Sequence, residues 1–121
     1  MGHVNNANHL TYVELSRIKY FEDVIKSSGH WSKDLGVILA RTEIDYKSPI
    51  FLHDNVSVYS RCAKIGTKSL TTEFAIVREK NDKEELLAQG LAIIVYFDYH
   101  HNHTIPVPPE HIEMIKNYEG I

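Results

Sequence analysis

Gly2, His3, Val4, Asn5 and Asn6 stand immediately before a stretch whose apolar residues take helical spacing. A glycine, a histidine and two side-chain amides therefore converge on a helix N-terminus, where the first backbone N–H groups lack partners and the helix dipole favours negative charge. An oxygen that becomes negative during a reaction is stabilised there. His3 and Asn6 can orient a water or a carbonyl; in the plainer alternative, Asn5, Asn6 or Asn8 only caps the helix. Glu14, about two turns on, is the nearest downstream carboxylate and a candidate general base, but it also stands three residues before Arg17 and can pair with it.

Two further groups attract notice. Lys64, Gly66, Thr67, Lys68 and Ser69 form a short basic turn whose ammonium groups and N–H donors suit a phosphate, although charged turns are common on any surface. His100, His101 and His103 lie within one turn, and no cysteine or second cluster completes a ligand set of recognised spacing. They read as surface histidines, and no metal is expected. No Gly-x-Ser-x-Gly elbow, P-loop or dinucleotide glycine signature appears.

The elements that must position these residues follow from periodicity. Leu10, Val13, Leu15, Ile18, Tyr20, Phe21, Val24 and Ile25 recur at helical spacing, predicting one long helix from Asn8 to about Ser28 with Gly29 as its stop. Its apolar arc is wide, so it is expected to be wrapped by the rest of the chain. From Gly36, a period of two predicts a half-buried strand ending before Pro49, with Ile38, Ala40, Thr42, Ile44 and Tyr46 opposite Arg41, Glu43, Asp45 and Lys47. Asn55 to Ala63 and Lys68 to Lys80 give two more strands, and Asn81-Asp82-Lys83 a polar turn. Leu86 to Phe97 is apolar on both faces and reads as the central, doubly covered strand. Pro108-Pro109 before Glu110 to Tyr118 predicts a short terminal helix. The class is α+β, a curled antiparallel sheet around one long helix.

The chain of 121 residues is one domain, residues 1–121, long enough to bury about two-thirds of its unfolded surface. A net charge of −3 argues against a dedicated nucleic-acid binder. Cys62 is the single cysteine, so no internal disulfide can form, and its strand position reads as a small buried apolar residue in a reducing compartment. No membrane-span or secretory pattern is found, and the expected location is the cytoplasm.

The motif Gly2-His3-Val4-Asn5-Asn6-Ala7, followed by His9-Leu10 and Glu14-x-x-Arg17, resembles the signature of the hydroxybenzoyl-CoA thioesterase-like family of hotdog-fold acyl-CoA thioesterases. Ala40 to Pro49 is similar to that family's second strand, His53-Asp54 stands where it usually has Gly-Asp, Ile65 to Ser69 is similar to its hairpin, and Ile105 to Pro108 to its closing segment. The resemblance implies an acyl-CoA thioesterase that yields free acid and coenzyme A. His3, Asn6 and Glu14 are its implied catalytic residues. Gly2, Val4, Asn5, Asp45 and Tyr46 would face substrate, although a solvent-facing Asp45 and a packed Tyr46 are equally open. Gly66, Lys68 and Ser69 would meet the coenzyme A phosphates. It implies no cofactor beyond coenzyme A as part of the substrate, no nucleic acid partner, and a homodimer or homotetramer. The family's usual aspartate and first strand would fall upstream of Met1. Alternatives are a non-catalytic acyl-thioester binder, or a hotdog dehydratase or thioesterase acting on acyl-carrier protein.

Overall fold

Alternating apolar residues build four long strands, and the turn chemistry between them sets their order. The computed structural model describes residues 3–4, 6–25, 35–51 and 53–121, giving only the backbone of residues 3–4 and 6–8. The long strands are β2 (Leu35–Tyr46), β4 (Asn55–Ile65), β5 (Ser69–Lys80) and β6 (Lys83–Asp98), antiparallel in the order β2-β6-β5-β4. Asn81 and Asp82 both take positive φ, which closes the β5–β6 hairpin in two residues with Lys80 opposite Lys83. Two-residue strands complete the set: β1 (His3–Val4) pairs with β3 (Ile50–Phe51), and β7 (His103–Thr104) pairs with the end of β6.

Gly90 shows how closely β2 and β6 approach. A Cβ there would lie 1.9 Å from the carbonyl oxygen of Glu43, so only glycine lets the ladder close. The bulge beyond Leu39 leaves Ala40 outside the β2–β6 register.

The expected single long helix is not shown as one uniform element, its expected stop, Gly29, lies outside the described residues, and its described part is less covered than its apolar content suggests. An α-helix, α1 (Asn6–Tyr20), passes into a π turn at Phe21–Ile25, where the described helix ends. Val13 is buried against Phe74, Ile76 and Leu87, while Tyr20, Val24 and Ile25 pack with Leu70, Tyr96 and Ile115. Leu10, Leu15 and Ile18 are exposed. The helix rests on one face of the sheet, so residues off its inner stripe, though apolar, stay about half exposed among the described residues. For the same reason β6 is covered on one face only: Ala92, Ile94 and Tyr96 are buried, whereas Leu91, Ile93 and Val95 on the outer face are half-buried.

The terminal helix α2 (Pro109–Glu119) forms as its prolines predict, and Gly120 at φ 76° ends it with its N–H on the Lys116 carbonyl at 2.8 Å. Glu119 ties it to the body. Its Oε2 accepts from the Tyr20 hydroxyl and from the Cys62 N–H, both at 2.7 Å.

Candidate active site

The start of α1 is placed by a chain of local contacts. His3 pairs with Phe51 and Val4 with Ile50, so the β1–β3 ladder delivers the chain to Asn6, the first residue of α1. β3 is itself held by a folded turn. Asp54 Oδ2 accepts from the Phe51 N–H at 2.7 Å and from Arg78 Nη1 at 2.8 Å, and the Asp54 N–H donates to the Phe51 carbonyl at 3.1 Å. Arg78 also donates through Nη1 to the Pro49 carbonyl, and through Nε and Nη2 to Glu85, while its guanidinium lies 5.6 Å from the centre of the Phe51 ring. His53, within this turn, has φ 72°, the left-handed region that a glycine occupies without cost.

Burial raises the cost of ionising Asp54, but the Phe51 N–H and the Arg78 guanidinium outweigh it and hold the carboxyl below the usual carboxylate range. Glu85 and Asp54 in turn hold the Arg78 guanidinium charged.

Behind the helix start sits His9, with its side chain fully buried. Its ring meets Tyr46 edge-on at 5.0 Å between centroids, and among the described residues neither ring nitrogen has a hydrogen-bond partner. A buried imidazole left unpaired is unusual enough to need an explanation. It stands in the first turn of α1.

Not all of the sequence-predicted residues come together here. Gly2 and Asn5 lie outside the described residues; His3 and Val4 are placed as β1 and Asn6 as the first residue of α1. Glu14 is exposed and makes no ion pair with Arg17. It stands about 12 Å along the axis from Asn6 at the usual rise per residue, too far to share an atom with the helix N-terminus. Tyr46 lies on the helix side against His9, whereas its neighbour Asp45 projects to the opposite face, onto a groove of about 580 Å³ shared with Tyr59, Arg61, Glu73 and Gln89.

The Gly66–Ser69 turn is well anchored. The Gly66 N–H donates to the Ser69 carbonyl at 2.8 Å, the carbonyls of Thr67 and Lys68 accept from the Val107 and Tyr96 N–H groups at 2.9 Å each, and the Lys68 ammonium donates to Thr104 Oγ1 at 3.3 Å. Its place is far from the helix start. Tyr46 is opposite Ala88 and Ser69 opposite Val95, so the two regions are separated by seven residues of β6, about 24 Å of strand.

A profile of the thioesterase-like superfamily matches residues 1–115. The chain belongs to that superfamily. Among solved structures, a thioesterase from Thermus thermophilus, complexed with coenzyme A and zinc, is 35% identical, with a TM-score of 0.81 over 99% of this chain and 84% of that one. A thioesterase-superfamily protein from Jannaschia sp. CCS1 shares the fold at 20% identity, with a TM-score of 0.86 over 99% of this chain and 74% of that one. The uncharacterised protein YsmA of Bacillus subtilis strain 168 is 27% identical over 73 residues, which is 60% of this chain and 48% of that protein. The match thus spans about half of that relative's length. These likenesses give the α+β sheet its hotdog architecture.

In this thioesterase-superfamily chain a second groove, of about 420 Å³, runs between the helix and β2, lined by Arg17, Ile18, Phe21, Leu35 and Val37. Leu10, Glu14, Arg17, Ile18 and Phe21 follow one another at helical spacing along that face of the helix. Among the described residues no helix is long and apolar enough to cross a membrane. Cys62 is buried, and that burial, with Glu119 nearby and against the opposing contact from the Lys64 carbonyl, pushes its thiol up to about 11, so it stays a protonated packing residue as expected.

Sequence reasoning gave no role to His9 or Arg78, although each left a signal. His9 shares the stripe of Val13, Tyr20 and Val24 on the buried side of the helix. Arg78 continues the alternation of Leu70, Thr72, Phe74 and Ile76, which places a cation on an inward face and requires partners.

Proposed function

We propose that this chain hydrolyses an acyl-CoA thioester to the free acid and coenzyme A, in the manner of the hydroxybenzoyl-CoA thioesterase-like family. The observation that carries the reading is the delivery of Asn6 to the start of α1 by the β1–β3 ladder. The thioester carbonyl is held at the α1 N-terminus, where the first N–H groups stabilise the oxyanion, one such donor being worth about 3 kcal/mol; Gly2, Val4 and Asn5 are assigned to substrate on the motif alone. His3 and Asn6 orient the carbonyl and the attacking water. Water adds to the carbonyl carbon as its proton passes to a base, and collapse of the tetrahedral intermediate breaks the C–S bond and releases the coenzyme A thiolate. His9, buried in the first helical turn, is assigned as base; Glu14, farther along the helix, is the competing assignment. The acyl chain occupies the groove of Ile18, Phe21, Leu35 and Val37, with Tyr46 near the carbonyl; Asp45, on the other face, would meet substrate only through a second copy.

Gly66, Lys68 and Ser69 are assigned to the coenzyme A phosphates, and this assignment calls for a homodimer. In one chain that turn and the helix start are at opposite ends of the sheet, whereas β2 is, among the described residues, an edge strand with an unpaired outer rim and exposed Ile38 and Leu39. Antiparallel pairing of two β2 edges by a twofold axis carries the turn of one copy towards the helix start of the other.

Release of free coenzyme A from short, medium and long acyl-CoAs tests the reading. Turnover is expected for the unaltered chain, with kcat lowered at least tenfold by Asn6→Ala and by His9→Asn and changed little by Glu14→Gln. A large loss with Glu14→Gln alone moves the base to Glu14. Binding of acyl-CoA without turnover sinks the hydrolase reading in favour of a non-catalytic binder.

A further inference from the structure

The turn between β6 and β7 brings together side chains whose spacing in sequence matches no recognised ligand set. One ligand atom from each of Asp98, His101 and His103 lies within 4.8 Å of the others. The backbone arranges this: Asn102 at φ 58° reverses the chain, so the rings of His101 and His103 stack with centroids 5.8 Å apart and planes 24° from parallel. Asp98 is the anchor. Its side chain is only 14% exposed, and Oδ1 accepts from the His100 and His101 N–H groups at 2.9 and 3.0 Å, which fixes the carboxylate and leaves Oδ2 turned to the rings.

The two rings are held differently. His103 Nδ1 is 3.0 Å from the Thr104 carbonyl, which can only accept, so Nδ1 donates there and Nε2 is the nitrogen left to meet a ligand. His101 Nδ1 meets Asp98 Oδ2 at 2.8 Å, one proton lying between two groups that both bind metals. We propose that Asp98, His101 and His103 form a binding site for a zinc-class divalent cation, which enters where His101 Nδ1 and Asp98 Oδ2 converge and releases the proton they share to solvent.

Two imidazoles and a carboxylate suit zinc and its neighbours; magnesium and calcium prefer all-oxygen shells. A tetrahedral site with bonds near 2.0–2.1 Å holds its ligand atoms about 3.4 Å apart, so binding needs rotations of roughly an ångström in exposed rings and no movement of the strands. With three protein ligands, the fourth position is left to water. His100 stands edge-on to His101 at 4.7 Å but does not belong to the set.

The test is titration of untagged, chelator-stripped protein with zinc chloride by calorimetry, and with cobalt chloride by visible absorption. The expected result is one equivalent of zinc per chain and the intensified absorption of tetrahedral cobalt. His101→Ala and His103→Ala should each weaken zinc binding at least tenfold, and Asp98→Asn, which keeps an oxygen for the two N–H groups, should do the same. His100→Ala and His53→Ala should change it less than twofold. Circular dichroism of each variant guards against loss of fold, which exposed rings in a turn are not expected to cause. Absence of one-to-one binding, a loss of less than tenfold in either His101→Ala or His103→Ala, or an equal loss in the two controls overturns the assignment.

Discussion

Arg78 and Asp54 form an ion pair 2.8 Å long with side chains only 11% and 16% exposed, and the same Asp54 oxygen caps the Phe51 N–H. Through Phe51 and Ile50 the pair holds β3, through β3 it holds β1, and β1 leads into the helix start. A contact more than twenty residues apart in sequence thus supports the place where an oxyanion would be stabilised.

Removing Arg78 strands Asp54 and frees the Pro49 carbonyl. Arg78→Ala should cost about 3 kcal/mol, the range for breaking a largely buried pair, and Arg78→Lys should recover only part because a single ammonium cannot serve Asp54, Pro49 and Glu85 together. Urea unfolding measures both. In acyl-CoA turnover, Arg78→Lys should lower kcat more than it raises KM; unchanged kcat in a folded protein would separate this network from the site.

The same pair sets a pH dependence. The folded carboxyl of Asp54 titrates below its unfolded value, near 3.9, so its contribution is present above that value and is lost as pH falls through the lower folded one. The stability difference between the unaltered chain and Asp54→Asn should be constant from pH 7 to about 5 and shrink below pH 4. Urea midpoints across that range give the curve, and a difference that grows on acidification would contradict it.

His53 occupies a left-handed conformation at φ 72°. Its strain is about 1–2 kcal/mol for a residue with a Cβ, and glycine's greater freedom in the unfolded chain offsets part of the gain. His53→Gly should therefore stabilise by about 0.5–1 kcal/mol, visible as a rise in Tm; His53→Val should destabilise.

Glu119 accepts from both the Tyr20 hydroxyl and the Cys62 N–H. Glu119→Ala leaves two part-buried donors unpaired and should cost about 2 kcal/mol in urea unfolding, with Glu119→Gln retaining most of the stability through its carbonyl oxygen. The Tyr20 hydroxyl, raised by burial and by Glu119, should titrate at lower pH in Glu119→Ala.

Features that depend on neighbours in the chain were legible in the order of residues. The alternation from Gly36 onward, the Asn81-Asp82 turn and the Pro109 to Gly120 helix are written in residues a few positions apart, and the structure has them within a few residues of where periodicity puts them. The opening motif, read in order, led to the superfamily whose profile matches residues 1–115. The rest was settled by how distant segments pack. Helical spacing showed that α1 is apolar but not how much of it this chain covers, so the expected wrapped helix has Leu10, Leu15 and Ile18 in the open. Strand alternation separates Asp45 from Tyr46, but only the packing of α1 shows that Tyr46 meets His9 while Asp45 faces the outer groove. Strand register, fixed by pairing between distant segments, puts the Gly66–Ser69 turn at the far end of the sheet from Asn6. Periodicity is a local property, whereas register and burial are set by which distant strands pair, and the composition of a site depends on the second.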